Sequence, residues 1–356
     1  MGDSTTDRLH YMDLLRGILM MLGVVLHTLA IYTVNSDWKV SSTESTDYAD
    51  PILNVIHLFR MPAFFIIAGY FSALVLVKQG AMPYVKSRFI RLGVPLIFAG
   101  ILLNIPMALL INNGPSDIGW SQYILSGSWL GHLWFLGVLI LYSSITAFLW
   151  RWIEPVINNN SQWTLLFSLL VLMLIFPISL RIGWYMEAMN IQLILLTVSN
   201  LFEYFPYFLF GLVFFFQSKY VSLGDKLHWW VAGSLVSYLL WTSLEIKILT
   251  DSLMFLMAIF SSLTLFAFFE RYFNRPAKWK QDLANSSYTV YLVHQPIIIL
   301  IALYMVEGPI NIHMQIFTIM STTVIFALIM HFKIVDKNKF LAFLMNGRPM
   351  SKGNNK

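Results

Sequence analysis

Apolar residues run through this chain in stretches of some twenty, separated by short polar connectors. A helix needs roughly 20 mostly apolar residues to cross a hydrocarbon core of about 30 Å. Ten stretches meet that need: 14–34, 51–77, 92–111, 130–150, 163–181, 197–217, 228–247, 252–270, 287–306 and 313–333. The segment 183–200 is apolar but broken by Glu187, Asn190 and Asn200, and reads as a loop or a re-entrant piece. The pattern predicts an all-α, polytopic transmembrane bundle of about ten helices. It forms one domain over residues 1–350, with a short polar tail over 351–356. The polar start, Met1 to Tyr11, precedes a stretch long enough to span, so the first helix is expected to be retained and not removed as a signal.

Composition supports this reading. Hydrophobic residues make up 58% of the chain and charged residues 12%, where a soluble domain carries about 25% charged residues. There is no cysteine, which excludes disulfides and thiolate zinc sites. The net charge of +5 has to be read by position. Of the Lys and Arg residues, all but Lys39, Arg60, Arg181 and Lys247 fall on the side of the connectors that includes both termini. Basic residues collect on the cytoplasmic side of membrane proteins. Both termini are therefore expected in the cytoplasm, and nucleic acid is a poor explanation for the basicity.

An ionisable side chain inside the hydrocarbon costs at least about 2.5–3.5 kcal/mol on insertion scales, which makes each one a functional candidate. Arg16 and His27 lie on the first helix, about 20° from the same face and about 16 Å apart along the axis. Asn54, His57 and Arg60 form a stripe at the start of the second helix, just before Pro62. Arg88 and Arg91 lead into the third helix on one face, where two forked guanidinium groups suit phosphate. His132 and Trp134 stand at the outer start of the fourth helix. His294 lies mid-membrane on the ninth, one turn after Tyr291 and just before Pro296. Glu187, Glu203 and Glu245 lie near the outer face, and any of them could orient a histidine.

The residues alone leave competing readings. Snorkelling arginines, buried structural histidines and an interfacial polar rim would account for many of these positions. The aromatic residues in the outer loops, Asn35–Asp50 and Asn112–Trp129, suit either interfacial anchoring or stacking on carbohydrate. A transporter or flippase for a small anion or glycan needs intramembrane cations as much as a transferase does. No phosphate-binding P-loop, HExxH zinc helix or GxSxG elbow is present.

Five segments together carry a resemblance. They are Asp13-Leu14-Leu15-Arg16-Gly17 with His27 downstream, Phe59 to Tyr70, Arg88-Phe89-Ile90-Arg91, His132-Leu133-Trp134-Phe135-Leu136, and Tyr291-Leu292-Val293-His294-Gln295-Pro296. As a set they resemble the motifs of the type 3 acyltransferase family of membrane proteins. The C-terminal Phe343 to Pro349 is similar to the branch that succinylates periplasmic glucans. The resemblance implies a bacterial inner-membrane O-acyltransferase with no metal. The co-substrate would be cytoplasmic acyl-CoA, acetyl or succinyl, and the acceptor a hydroxyl of an extracytoplasmic glycan. The family's essential histidine maps onto His27, its arginine onto Arg16 and its paired arginines onto Arg88 and Arg91. On this basis Arg16, Arg88 and Arg91 are expected to hold the donor, and His27 to act as general base or acyl carrier. Arg60 or His294 would stabilise the oxyanion, with His57, His132 and Trp134 on the acceptor side.

Overall fold

The computed structural model describes residues 9–34, 38–111, 119–158, 163–189, 198–218 and 223–348. These residues are almost wholly helical, with no strand among them. Ten long helices stand on the predicted stretches: α1 (His10–Leu29), α2 (Ala49–Gln79), α3 (Ala81–Leu110), α4 (Trp134–Ile157), α5 (Trp163–Ala188), α6 (Val198–Gln217), α7 (Leu227–Ser243), α8 (Lys247–Phe273), α9 (Lys278–Met305) and α10 (Ile312–Val335). A short eleventh helix, α11 (Lys339–Asn346), follows.

Among the described residues, 9 helical runs are long and apolar enough to cross a membrane. The expected tenth, α7, has 17 residues. At ~1.5 Å per residue it reaches about 26 Å, short of the ~30 Å core. Arg16 of α1, Arg88 of α3 and Asn285 of α9 line one cavity, so the N-terminal halves of these three helices stand at one end of the bundle.

Several helices outrun the apolar stretches that announced them. α3 begins at Ala81 and α9 at Lys278, while α5 continues to Ala188 and so includes Glu187. Hydropathy marks only the part of a helix that meets hydrocarbon, whereas the hydrogen-bond ladder runs on into polar flanks. Asn200 lies within α6, and Asn190 falls outside the described residues.

The helices at the centre are packed by small residues. A Cβ on Gly69 of α2 would collide with the carbonyl oxygen of Phe208, and one on Gly211 of α6 with that of Ile66. Reciprocal glycines bring these two backbones into direct contact, as membrane helices need when no hydrophobic force drives them together. Phe65 of α2 then stacks on Tyr204 of α6, with ring centroids 5.0 Å apart. The periphery is inverted relative to a soluble protein. α7 buries only Ser237 and turns Trp229, Leu235 and Leu239 outwards to lipid.

Candidate active site

The end of the bundle that holds the start of α1 contains a cavity of about 400 Å³ lined by Arg16, Arg88, Arg91 and Arg348, with Asn285, Ser287 and Asn346. α3 carries Arg88 just before, and Arg91 within, a π-helical turn over Phe89–Gly93. Such turns add a residue to the helical circuit and redirect side chains, and they recur at functional sites. The Arg88 guanidinium lies over the Tyr84 ring, 5.2 Å from its centroid. The Tyr288 hydroxyl donates to the Arg91 carbonyl at 3.2 Å. Arg16 faces Asp13 across 3.7 Å.

Towards the opposite end lies a second cavity of about 270 Å³, lined by His27, His57, Arg60, His132, Trp134 and Tyr291 among others. Arg60 is buried, and its Nε donates to the carbonyl of Leu19 at 2.9 Å. Gly23, one turn along α1 from Leu19, makes that approach possible. A Cβ there would sit 2.8 Å from Arg60 Nη2 and 3.2 Å from His294 Nε2. The bare helix surface therefore seats a guanidinium and an imidazole side by side.

Three histidines converge from three helices. The His27 ring stands 5.2 Å from that of His294, which stands 5.1 Å from that of His132. Tyr291 sets two of them. Its carbonyl meets His294 Nδ1 at 2.7 Å and His132 Nε2 at 3.1 Å, and its hydroxyl donates to the His132 carbonyl at 2.8 Å. A carbonyl only accepts, so both facing nitrogens carry protons. In the neutral rings this leaves lone pairs on His294 Nε2 and His132 Nδ1, both buried without a hydrogen-bond partner, as is His27 Nδ1. Pro296 prepares the place: it removes the donor owed to the Leu292 carbonyl and loosens the turn containing Tyr291.

The loops complete this end. Ser42 N–H to the Ile31 carbonyl (2.9 Å) and Thr46 N–H to the Tyr32 carbonyl (3.0 Å) fold the segment before α2 back over the end of α1. Trp38 stacks on His27 at 5.5 Å. Its neighbour Lys39 is half-buried, and burial pushes its pKa below the ordinary lysine value. On α3, Asn104 Nδ2 donates to the carbonyls of Trp129 (3.2 Å) and Leu130 (2.6 Å), fixing the turn that presents His132. Residues 112–118, and Asp37, lie outside the described residues.

Every residue singled out for catalysis, donor binding or acceptor binding lines one of the two cavities or touches a residue that does. Arg16 and His27, expected on one face of α1, belong to opposite cavities, with Met20 between them lining both. Phe64 and Phe135 also line both, so these three apolar side chains form the shared wall. The acids behave otherwise. Glu187, Glu203 and Glu245 line neither cavity, and among the described residues no carboxylate does. Backbone carbonyls orient His132 and His294 in their place. Trp38, Gly23, Asn104 and Arg348 escaped the reading of the sequence. Trp38 and Asn104 carry no ionisable group, and Gly23 acts by lacking a side chain. Arg348 lies in the C-terminal stretch that resembles the glucan branch, a resemblance that attached no role to it.

The sequence matches an acyltransferase domain family over residues 9–332, nearly the whole chain. This protein belongs to the type 3 acyltransferase family. Membership makes it an acyltransferase, and the transporter alternative gives way. The acyltransferase is 26% identical over 387 aligned residues to glucans biosynthesis protein C of Escherichia coli (strain K12), covering 100% of this chain and 98% of that protein. The protein of the same name from Shigella dysenteriae serotype 1 (strain Sd197) is likewise 26% identical, with the same coverage. No solved structure matches the chain.

Proposed function

We propose that this acyltransferase moves an acyl group from cytoplasmic acyl-CoA to a hydroxyl of an extracytoplasmic glycan, across the wall formed by Met20, Phe64 and Phe135. One observation carries the reading: a cavity rich in arginine and a cavity rich in histidine lie along one path and share that wall. The end bearing Arg16, Arg88 and Arg91 is the cytoplasmic one, following the placement of basic residues along the chain. Both termini then lie inside. Coenzyme A is an anionic nucleotide, and clustered guanidinium groups suit its phosphates. The names of the relatives favour a glucan as acceptor, while the resemblance in the motifs favours a bacterial inner membrane and either succinyl or acetyl as the group moved.

In this reading the acceptor hydroxyl enters the outer cavity beside His27. His27 takes the hydroxyl proton as the oxygen attacks the thioester carbonyl carbon. The C–O bond forms, the C–S bond breaks, and the proton passes to the departing thiolate. The Arg60 guanidinium, pinned through Nε and with Nη2 beside Gly23, faces the oxyanion that develops between these events. His294 supports His27 from behind. His57, His132 and Trp134 line the acceptor side. A transient acyl group on His27 is the alternative form of the same step.

Thermal stabilisation of the detergent-purified protein by coenzyme A, acetyl-CoA and succinyl-CoA tests the reading. A ligand at 100 times its Kd adds about 2.7 kcal/mol of stability. The thioester that stabilises most should also acylate an added glucan oligosaccharide. Failure of all three to stabilise the protein would overturn the assignment of the donor.

A further inference from the structure

The arginine cavity has a side that neither the five segments shared with the family nor the transmembrane helices supply. Asn346, Gly347 and Arg348, at the end of α11, line it together with Arg16, Arg88 and Arg91. Three features hold this segment in place.

Gly347 ends α11 in the left-handed region (φ +58°, ψ +23°), its N–H bonded to the Phe343 carbonyl at 2.9 Å. That conformation favours glycine, and the packing demands it as well. A Cβ on Gly347 would overlap the Arg91 backbone at Cα and stand 2.8 Å from the Ile90 carbonyl. The end of α11 is thus pressed onto the arginine-bearing turn of α3.

The other two features start from one place, the π-helical turn His331–Val335 that closes α10. His331, at its beginning, meets the Thr289 hydroxyl at 2.8 Å, and that hydroxyl donates to Asn346 Oδ1 at 3.1 Å. A hydroxyl has one proton to give, so His331 Nδ1 donates to Thr289. This relay occupies the amide oxygen of Asn346. Its amide nitrogen is left buried and without a partner, a donor that remains costly until an acceptor meets it. Just after the turn, Asp336 holds Arg348 through Nη1 at 2.6 Å. Both groups are about half exposed (41% and 50%), so the pair is weak enough to exchange for a better anion.

We infer that α11 is a clasp for the donor, in which Arg348 leaves Asp336 to bind a phosphate of coenzyme A and Asn346 Nδ2 donates to the same bound coenzyme. His331 and Thr289 are positioning residues for Asn346. The inference rests on the donor reading proposed above, and its test separates the two.

The affinity of the full-length purified protein for coenzyme A and for pantetheine, which lacks the nucleotide phosphates, is measured by thermal shift for the wild type and for Arg88→Ala, Arg348→Ala, Arg348→Lys, Asn346→Leu and Asp336→Asn. Arg348→Ala and Asn346→Leu should each weaken coenzyme A about tenfold. Arg348→Lys should recover part of the loss. Arg348→Ala should leave pantetheine unchanged, and Asp336→Asn should hold coenzyme A at least as tightly as the wild type. If Arg88→Ala loses coenzyme A while Arg348→Ala and Asn346→Leu keep wild-type affinity, the clasp is wrong and the donor site stands. If Asp336→Asn weakens coenzyme A as much as Arg348→Ala does, the ion pair is structural and the clasp is again wrong. Absence of any coenzyme A response in the wild type overturns both.

Discussion

In the orientation proposed, the inner cavity takes its charges from the first halves of helices and from a terminal segment, whereas the outer cavity takes its reactive groups from the last turn of α1 (His27), the turn before α4 (His132) and the interiors of α2 and α9 (Arg60, His294). At the inner end four arginines reach one space on long side chains, several of them partly solvated. Each is replaceable in degree, and salt screens all of them. At the outer end each group is held by one or two specific contacts: Arg60 by a carbonyl, His132 and His294 by another, His27 by stacking. Binding an anion tolerates slack in the groups that hold it. Transferring an acyl group does not, since small misplacements of reacting groups cost large factors in rate.

Substitutions test this contrast. The largest effect is expected from His27→Ala, which should slow acyl transfer by about 10²–10⁴-fold while coenzyme A still stabilises the protein. Steady-state transfer to a glucan oligosaccharide, set beside thermal shifts, measures both. Equal rates in mutant and wild type would remove His27 from the chemistry. Next is Gly23→Ala. A methyl group 2.8 Å from Arg60 Nη2 must push the guanidinium aside. Transfer should fall about tenfold or more and stability by about 1–3 kcal/mol, with donor affinity unchanged. Arg88→Ala should do the reverse, raising the KM for the thioester about tenfold with little change in kcat, and the loss should shrink at high salt. The smallest effect belongs to Glu245→Gln, whose carboxylate is exposed and lines neither cavity. Its kinetics should match the wild type, and a marked slowing would restore an acid to the outer site.

These pairs also show where the sequence was legible. Helices could be placed because lipid imposes one long apolar pattern on each. Their ends could not, because the flanks of α3 and α9 are polar yet helical. The eleven-residue spacing of Arg16 and His27 put both on one face, and the structure gives each a cavity with Met20 between. What orients the histidines was hidden, because the Tyr291 carbonyl belongs to the backbone and every residue has one. The acids drew attention as the familiar partners of histidine, and the fold left them outside. Gly23 and Gly347 gave no chemical signal, since each works by leaving room.

The shared wall has an electrical consequence. Where water fills chambers on either side of a thin septum, the membrane voltage falls mostly across the septum. Were both cavities filled with water, that septum would be Met20, Phe64 and Phe135, which line both. A unit charge carried through 100 mV changes in energy by about 2.3 kcal/mol. A neutral acyl group would pass those three side chains indifferent to voltage. In the proposed direction of transfer, one that carries a carboxylate would travel downhill from a negative interior, so an energised membrane would itself help to drive its export.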